Sequence, residues 1–322
     1  MELRRMGDSG LTVSTVGLGC NNFGRPGTAT EDQAGTTAVV DAAIEAGVTL
    51  FDVADVYPGA VRGRSEELLG AALAGRRDEV VLATKFGADM HGANGPDFGA
   101  RGSRRYIRTA VHASLRRLGT DWIDLYQLHT PDPLTPVEET LSALDDLVRE
   151  GTVRYLGSSN FAGWQVADAA WTARTAHLTP FVSAQNHYSL LERGVEADVV
   201  PACERFGVGL LPYFPLASGL LTGKYARGAA APDGTRLAAL PARLEGADWD
   251  TVEAVRAYAD GRGVSMLDVA IGGLAAQPAV SSVIAGATSP AQVRANVAAG
   301  AWEPTGTDLA ELDGITGGGR AD

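Results

Sequence analysis

Val48–Lys85 reads VTLFDVADVYPGAVRGRSEELLGAALAGRRDEVVLATK. Two short apolar runs, VTLFD and EVVLATK, bracket a helical pattern, RSEELLGAALAG. A strand, a helix and a strand in that order form a βαβ unit. The helical crossover implies that the two strands run parallel in one sheet.

The same alternation continues outward in both directions. Upstream, VGLG (Val16–Gly19) precedes a helix for which Thr30 and Gln33 have capping-box spacing. Before that, MELRRMGDSGLTVS reads as a hairpin whose turn chemistry comes from Gly7, Asp8, Ser9 and Gly10. Downstream, EVVLATK leads to a helix from about Ser103 to Leu118. IDLYQLH leads to a helix started by Thr135, Pro136 and Glu138, with Val137, Leu141, Leu144 and Val148 on one stripe. TVRYLGSS precedes a helix near Gly163–Thr175, and FVSAQ one near Gly194–Phe206. VGLLPYF opens an irregular stretch followed by helices near Asp250–Gly261 and Ser265–Ala276. SSVIAG comes last, before Pro290–Gly300 and a tail with helix potential.

Eight strand candidates with helical crossovers predict an α/β fold, a single (β/α)8 TIM barrel with an N-terminal β-hairpin, as one domain over residues 1–322. An open doubly wound sheet is the rival. Its G-x-G-x-x-G fingerprint is absent, because GLGCNNFG spaces its glycines differently. Residues 87–102 and 226–248 are the long loops, expected to carry function or motion.

Composition narrows the partners. The chain has 322 residues, 45% hydrophobic, and a formal charge of −12, which argues against nucleic acid or an anionic membrane surface. An anionic cofactor stays possible, since a phosphate pocket needs only local donors. Two cysteines, Cys20 and Cys203, form neither a disulfide framework nor a zinc spacing. The opening MELRRMGDSGL has no apolar run of signal-peptide length, so a cytoplasmic location is expected. No metal site and no membrane partner are expected, and oligomeric state is not legible.

In a (β/α)8 barrel the active site forms at the carboxyl ends of the strands. There the second strand ends in Asp52, with Tyr57 five positions on; the third ends in Lys85 and the fourth in His129. A buried ammonium beside a phenol favours the phenolate and draws its pKa down from about 10. A carboxylate beside the lysine keeps it charged. The phenol can then protonate a carbonyl oxygen as hydride reaches carbon, and a neutral imidazole can hydrogen-bond the same oxygen. Alternation along IDLYQLH places Leu125, Gln127 and His129 on the inward face. Each residue alone has an ordinary structural reading. The four together, in this order at these strand ends, do not.

FDVADVY followed by RSEELLG, then ATK, then YQLHTPD resemble the signature stretches of the aldo-keto reductases. The similarity runs from GLGCNNFG, which contains Gly19 and Cys20, to GATSPAQVRAN. The resemblance implies that Asp52, Tyr57, Lys85 and His129 form a catalytic tetrad. It also implies ordered binding of NADP(H), extended across the barrel mouth without a Rossmann domain, and a small-molecule carbonyl substrate. The cofactor contacts it implies fall first on Gly19, Cys20 and Asp52. GSSNF resembles a segment whose Ser159 and Asn160 would hold the nicotinamide carboxamide, with Gln185 completing the grip. Tyr213 would stack under the nicotinamide ring. Phe214, Pro215, Leu216, Ser218 and Lys224 fall where the family's seventh loop passes the pyrophosphate. Gly286, Thr288, Gln292 and Asn296 match the contacts to the 2′-phosphate and adenine.

A phosphate at the start of the last helix is physically reasonable, yet Ser289, Pro290 and Gln292 also make an ordinary capping sequence. Many relatives carry Lys or Arg at the positions of Gly286 and Gln292, and here Lys224 and Arg236 are the candidates for the missing charge. GATSPAQ and SGLLTGKY look more like the potassium-channel β-subunit branch, which suggests the alternative of an NADP(H)-binding regulatory or redox-sensing module. In those subunits the position of His129 is not histidine, which favours a working reductase. A metal-dependent barrel hydrolase finds no spacing to support it, since His91, His112, His177 and His187 are scattered.

Overall fold

The computed structural model describes residues 1–232 and 235–318. Residues 233–234, inside the second long loop, and the last residues of the tail, 319–322, lie outside the described residues. A hairpin of β1 (Leu3–Arg5) and β2 (Thr12–Ser14) leads into β3 (Val16–Gly19). There follow α1 (Gln33–Glu45), β4 (Leu50–Asp52), α2 (Arg64–Ala72), β5 (Val81–Phe86), α3 (Arg104–Leu118), β6 (Ile123–Leu128) and α4 (Val137–Arg149). The chain continues through β7 (Val153–Ser159), α5 (Gly163–Ala176), β8 (Phe181–His187), α6 (Val199–Phe206) and β9 (Gly209–Tyr213). Three helices then precede the last strand: α7 (Pro241–Glu245), α8 (Trp249–Arg262) and α9 (Met266–Ala275). After β10 (Val283–Gly286) come α10 (Pro290–Ala299) and α11 (Gly306–Thr316).

The eight strands β3 to β10 close on themselves in chain order, all parallel, with β10 pairing back onto β3. This is the (β/α)8 TIM barrel that the alternation predicted. Closure at the seam is tight: Gly19 pairs in register with Gly286, and a side chain at Gly19 would sit 3.1 Å from Ile284 Cγ2.

The interior below the rim is apolar. Leu50, Ala83, Leu125, Leu211 and Ile284 meet Met6, Leu11 and Val13 of the hairpin, which plugs the amino-terminal end. The plug is seated by Gly7, whose φ is +55°; a Cβ there would lie 2.2 Å from the Gly207 carbonyl oxygen. Only glycine tolerates both the conformation and the approach. Tyr126 and Leu128, on the other face of β6, pack outward against Ile107, Leu141 and Leu144 of the surrounding helices.

Three local expectations shift. Asp32, not Thr30, caps α1, accepting from the Gly35 N–H at 2.9 Å. Gln33 instead reaches the Leu68 carbonyl of α2 at 3.1 Å, and Thr30 donates to the Asn22 carbonyl. The helix expected over 194–206 is a 3-10 turn, Gly194–Glu196, and then α6. Asp198 breaks it with φ −140° while its carboxylate accepts from the Gly163 N–H at 2.7 Å. The stretch 226–248 is also less irregular than expected, since it contains a 3-10 turn at Arg236–Ala239 and α7.

Leu125 is wholly buried inside the barrel. Leu125→Ala is expected to destabilise by about 2–5 kcal/mol, the range for emptying such a site, seen as a lower urea midpoint. A midpoint equal to the parent's would mean that the interior is not packed as described.

Candidate active site

Strand register delivers the site. Asp52 ends β4, Lys85 is the penultimate residue of β5, and His129 follows β6, held there by its N–H donating to the Phe86 carbonyl at 2.8 Å. Tyr57 comes from the loop between β4 and α2. Lys85, fully buried, donates from Nζ to Asp52 Oδ2 at 2.7 Å, to the Val53 carbonyl at 3.0 Å and to Tyr57 Oη at 3.4 Å. The Tyr57 and His129 rings meet edge to face with centroids 5.7 Å apart. The four residues singled out in the sequence therefore converge on one rim.

Their electrostatics follow from burial and from each other. Burial works against the Lys85 charge, but Asp52 and Tyr57 outweigh it and hold the ammonium above its ordinary range. For Tyr57 the balance runs against the sequence expectation. Burial pushes the phenol up by more than Lys85 pulls it down, so the net direction is upward. Burial, reinforced by the Lys85 charge, lowers His129 to about 3, leaving a neutral imidazole. Its Nδ1 is buried with no hydrogen-bond partner among the described residues.

Around this centre the other candidates fall into distinct places. Gln185 donates from Nε2 to Asp52 Oδ1 at 2.9 Å, so its amide nitrogen is committed to the carboxylate. Gln127 does the same at 3.1 Å; the sequence placed it inward but did not mark it as part of the site. Asn160 has φ +59°, and its amide donates to the His129 carbonyl at 2.9 Å and to Ser159 Oγ at 3.1 Å. The Tyr213 hydroxyl donates to Asn160 Oδ1 at 2.8 Å, and the Tyr213 ring stacks on His187, 5.4 Å between centroids. His187, one of the histidines that the sequence leaves scattered, thus backs the site. Cys20 is sealed in the core, its backbone N–H donating to the Asp52 carbonyl at 2.8 Å.

Beyond Tyr213 the chain twists through left-handed backbone at Phe214, Ala217 and Ser218. Pro215 is buried, and Leu216 packs against the cores. Arg236 stacks over Phe214 at 4.7 Å. Burial first, then Arg25 and Arg243, depress its pKa. Arg243 reaches Ser218 Oγ at 3.4 Å. None of these three guanidiniums has a carboxylate partner within ion-pair distance among the described residues. Lys224, the other expected cation, is exposed and lies over the Tyr225 ring instead. Arg25 and Arg243 had no local signal in the sequence; only the fold gathers them. At α10, Gln292 Oε1 accepts from the Thr288 N–H at 2.8 Å and Ser289 caps the helix, so Gln292 serves its own helix terminus. Asn296 donates to the Gly286 carbonyl at 3.3 Å.

A closed parallel barrel with a lysine–carboxylate pair, a phenol and an imidazole at the carboxyl ends of its strands belongs with the oxidoreductase barrels. Residues 15–316 match the Aldo/keto reductase family, and the chain is a member of that family. It is 36% identical over 310 residues to the "Probable voltage-gated potassium channel subunit beta" of Oryza sativa subsp. japonica, covering 93% of this chain and 91% of that one. It is 36% identical over 294 residues to "Versiconal hemiacetal acetate reductase" of Aspergillus parasiticus, with 84% of each chain covered. To "Protein tas" of Escherichia coli it is 34% identical over 344 aligned positions, 98% of this chain and 97% of the other.

His129, held near 3, is expected to keep its ring resonances unshifted in nuclear magnetic resonance spectra between pH 5 and 8, where an ordinary histidine titrates near about 6.5. The sign for stability follows: the unfolded chain binds the His129 proton more tightly, so this residue's contribution rises with pH from about 3 to about 6.5. A titration of that ring near pH 6.5 would contradict its burial beside a charged lysine.

Proposed function

We propose that the protein is an NADP(H)-dependent carbonyl reductase in which Tyr57 is the general acid. The observation that carries this reading is the Asp52–Lys85–Tyr57 chain of contacts, 2.7 Å and 3.4 Å long, with the neutral His129 ring beside the phenol. Family membership and the similarity to a reductase support it. A bound nicotinamide supplies the hydride; this chain's residues handle the proton and the charge. Tyr57, raised by burial, keeps its proton until the substrate oxygen becomes basic, then donates it. Lys85 lowers the cost of the resulting phenolate, and Asp52 keeps Lys85 charged. The imidazole donates a hydrogen bond to the developing oxyanion without competing as an acid, a type of contact worth about 2.7–4 kcal/mol elsewhere.

The residues fit a phosphate-bearing dinucleotide. Three arginines without carboxylate partners, collected beside a twisted backbone in a chain of charge −12, form an anion site. Arg25, Arg236, Arg243 and Ser218 would hold the phosphates, while Ser159, Asn160 and Tyr213 would hold the ring end. Gly19, Gly286, Thr288 and Asn296 would line the adenosine side. The two free, buried cysteines suit a reducing compartment, the cytoplasm. The test of the whole reading is a panel of aldehydes and ketones with NADPH oxidation followed by absorbance. A parent that reduces none of them while binding NADPH tightly would leave the regulatory-module alternative in its place.

Two variants refine it. Tyr57→Phe should retain cofactor affinity and lose most turnover, since general-acid catalysis is worth roughly 10²–10⁴-fold; keeping more than about a tenth of kcat removes Tyr57 as the donor. Arg236→Ala should weaken NADPH binding by at least about tenfold, as expected for one charge-assisted contact of about 1.5–3 kcal/mol, and flatten its salt dependence. Unchanged affinity in a fluorescence titration would move the phosphates elsewhere.

A further inference from the structure

Behind the rim lies a second buried polar cluster that none of the steps above uses. Asp55 is fully buried, three residues after Asp52 and two before Tyr57. Its backbone is fixed on both sides: its N–H donates to the Lys85 carbonyl at 3.1 Å, and its carbonyl accepts from the Gly63 N–H at 2.7 Å. Its side chain is held from a third direction. Asn94, in the loop after β5, donates from Nδ2 to Asp55 Oδ2 at 2.8 Å. Asn94 Oδ1 accepts from Arg117 of α3 at 2.9 Å. Arg117 pairs with Glu66 of α2 at 2.6 Å, and Glu66 accepts from Thr84 of β5, also at 2.6 Å.

Resting on the reading of Tyr57 as proton donor, we propose that Asp55 is a positioning residue for Tyr57, tied by Asn94 to the loop after β5, so that one hydrogen-bonded joint sets both the mouth loop and the donor. The loop between β4 and α2 is otherwise held here mainly through its main chain, by the Asp55 bonds just described and by the Val53 N–H donating to the Ala83 carbonyl at 2.9 Å. The Tyr57 N–H bonds only within its own turn, to the Ala54 carbonyl at 3.1 Å, and the Tyr57 carbonyl accepts from the Ser65 N–H at 3.2 Å. Losing the Asn94 bond therefore removes the side-chain tie that sets this segment against the loop after β5 and fine-tunes the aim of the phenol at Lys85. Misplacing a reacting group by about 1 Å can cost on the order of 10²-fold in rate.

The joint is also sensitive to charge. Asp55 Oδ1 and Tyr126 Oη, the latter reaching in from β6, are both buried with no hydrogen-bond partner among the described residues. A second anion beside Glu66 is costly there. Burial first and then Glu66 push the Asp55 carboxyl up to about 8, with Arg117 and Asn94 opposing. The groups facing it are Glu66 from α2, Arg117 and Tyr106 from α3, Tyr126 from β6, and Tyr57 on its own loop. That shift favours the protonated form of Asp55 at neutral pH. Once ionised it raises Tyr57 further, making the phenol a weaker acid.

Two variants test this. Asn94→Ala breaks the joint and leaves Asp55 in place; Asp55→Asn is isosteric, keeps an acceptor for Asn94 and cannot ionise. In Asn94→Ala, kcat at pH 7 should fall at least about tenfold, with NADPH affinity within about twofold of the parent. In Asp55→Asn, the alkaline fall in kcat, to which ionisation of Asp55 is expected to contribute in the parent, should move to higher pH. The Tyr57 phenolate band, identified as the one missing in Tyr57→Phe, should appear at lower pH. Because the folded protein holds the Asp55 proton that the unfolded chain releases near about 4, the Asp55 contribution to stability falls from about pH 4 to 8 in the parent, and the stability difference between Asp55→Asn and the parent should change over that range. A parental kcat in Asn94→Ala, or a parental pH profile and phenol titration in Asp55→Asn, overturns the proposal. A parent with no carbonyl turnover sinks the reductase reading alone, and the phenol titration of Asp55→Asn then decides the joint.

Discussion

Everything at the mouth of this barrel depends on keeping one ammonium charged where no water reaches it. Taking a lysine cation out of water costs several kcal/mol. Lys85 meets that cost with a carboxylate at 2.7 Å and a carbonyl at 3.0 Å. The carboxylate then needs partners of its own. Asp52 Oδ1 takes them from Gln127 on β6 and Gln185 on β8. Four strands of the barrel thus satisfy one ion pair. A slip of one residue in any of them would turn its contributing side chain out of the barrel and leave a buried charge short of a partner.

That constraint explains the layering below. The interior beneath the pair is mainly aliphatic, with the buried Ser183 and Ser282 set among Leu50, Leu125 and Ile284, down to the hairpin plug of Met6, Leu11 and Val13. An apolar floor keeps the local dielectric low, which strengthens the Lys85–Asp52 attraction. Burial at the rim likewise raises the Tyr57 phenol and keeps the His129 ring neutral. Desolvation sets two of the site's protonation states together, while Asp52 and Tyr57 override it at Lys85.

How much of this was legible in the chain depends on range. The barrel was readable because each βα unit signals locally, through an apolar run followed by a capped amphipathic segment. Asp52, Lys85 and His129 were readable because residues at or next to a strand's carboxyl end face the mouth once the fold is known, and Tyr57 because it follows Asp52 in the next loop. The sign of the Tyr57 shift was not, because it turns on how burial compares with one nearby charge, and burial is a property of the whole assembly. Thr30 and Gln33 had the right spacing for a cap, yet Gln33 found a carbonyl on α2, 35 residues away, and Asp32 took the role. Arg25 and Arg243 could not be found at all, since nothing local distinguishes an arginine that will lack a carboxylate from the many that pair.

Those arginines bear on how an acidic protein could hold an anion. At α10 the helix terminus is already served by its own Ser289 and Gln292, and no basic side chain stands at Gly286 or Gln292 to supplement it. Under the proposed cofactor reading, positive charge is supplied instead by the loops after β3 and β9, where Arg25, Arg236 and Arg243 crowd together. Burial first, and then the crowding of Arg25 and Arg243, depress the Arg236 pKa, and a phosphate placed among the three would relieve that repulsion. Such a site recognises phosphate by charge more than by a bidentate grip at a single helix end. Its hold on the bridging phosphates should therefore exceed its discrimination at the ribose 2′ position, which is where NADPH and NADH differ.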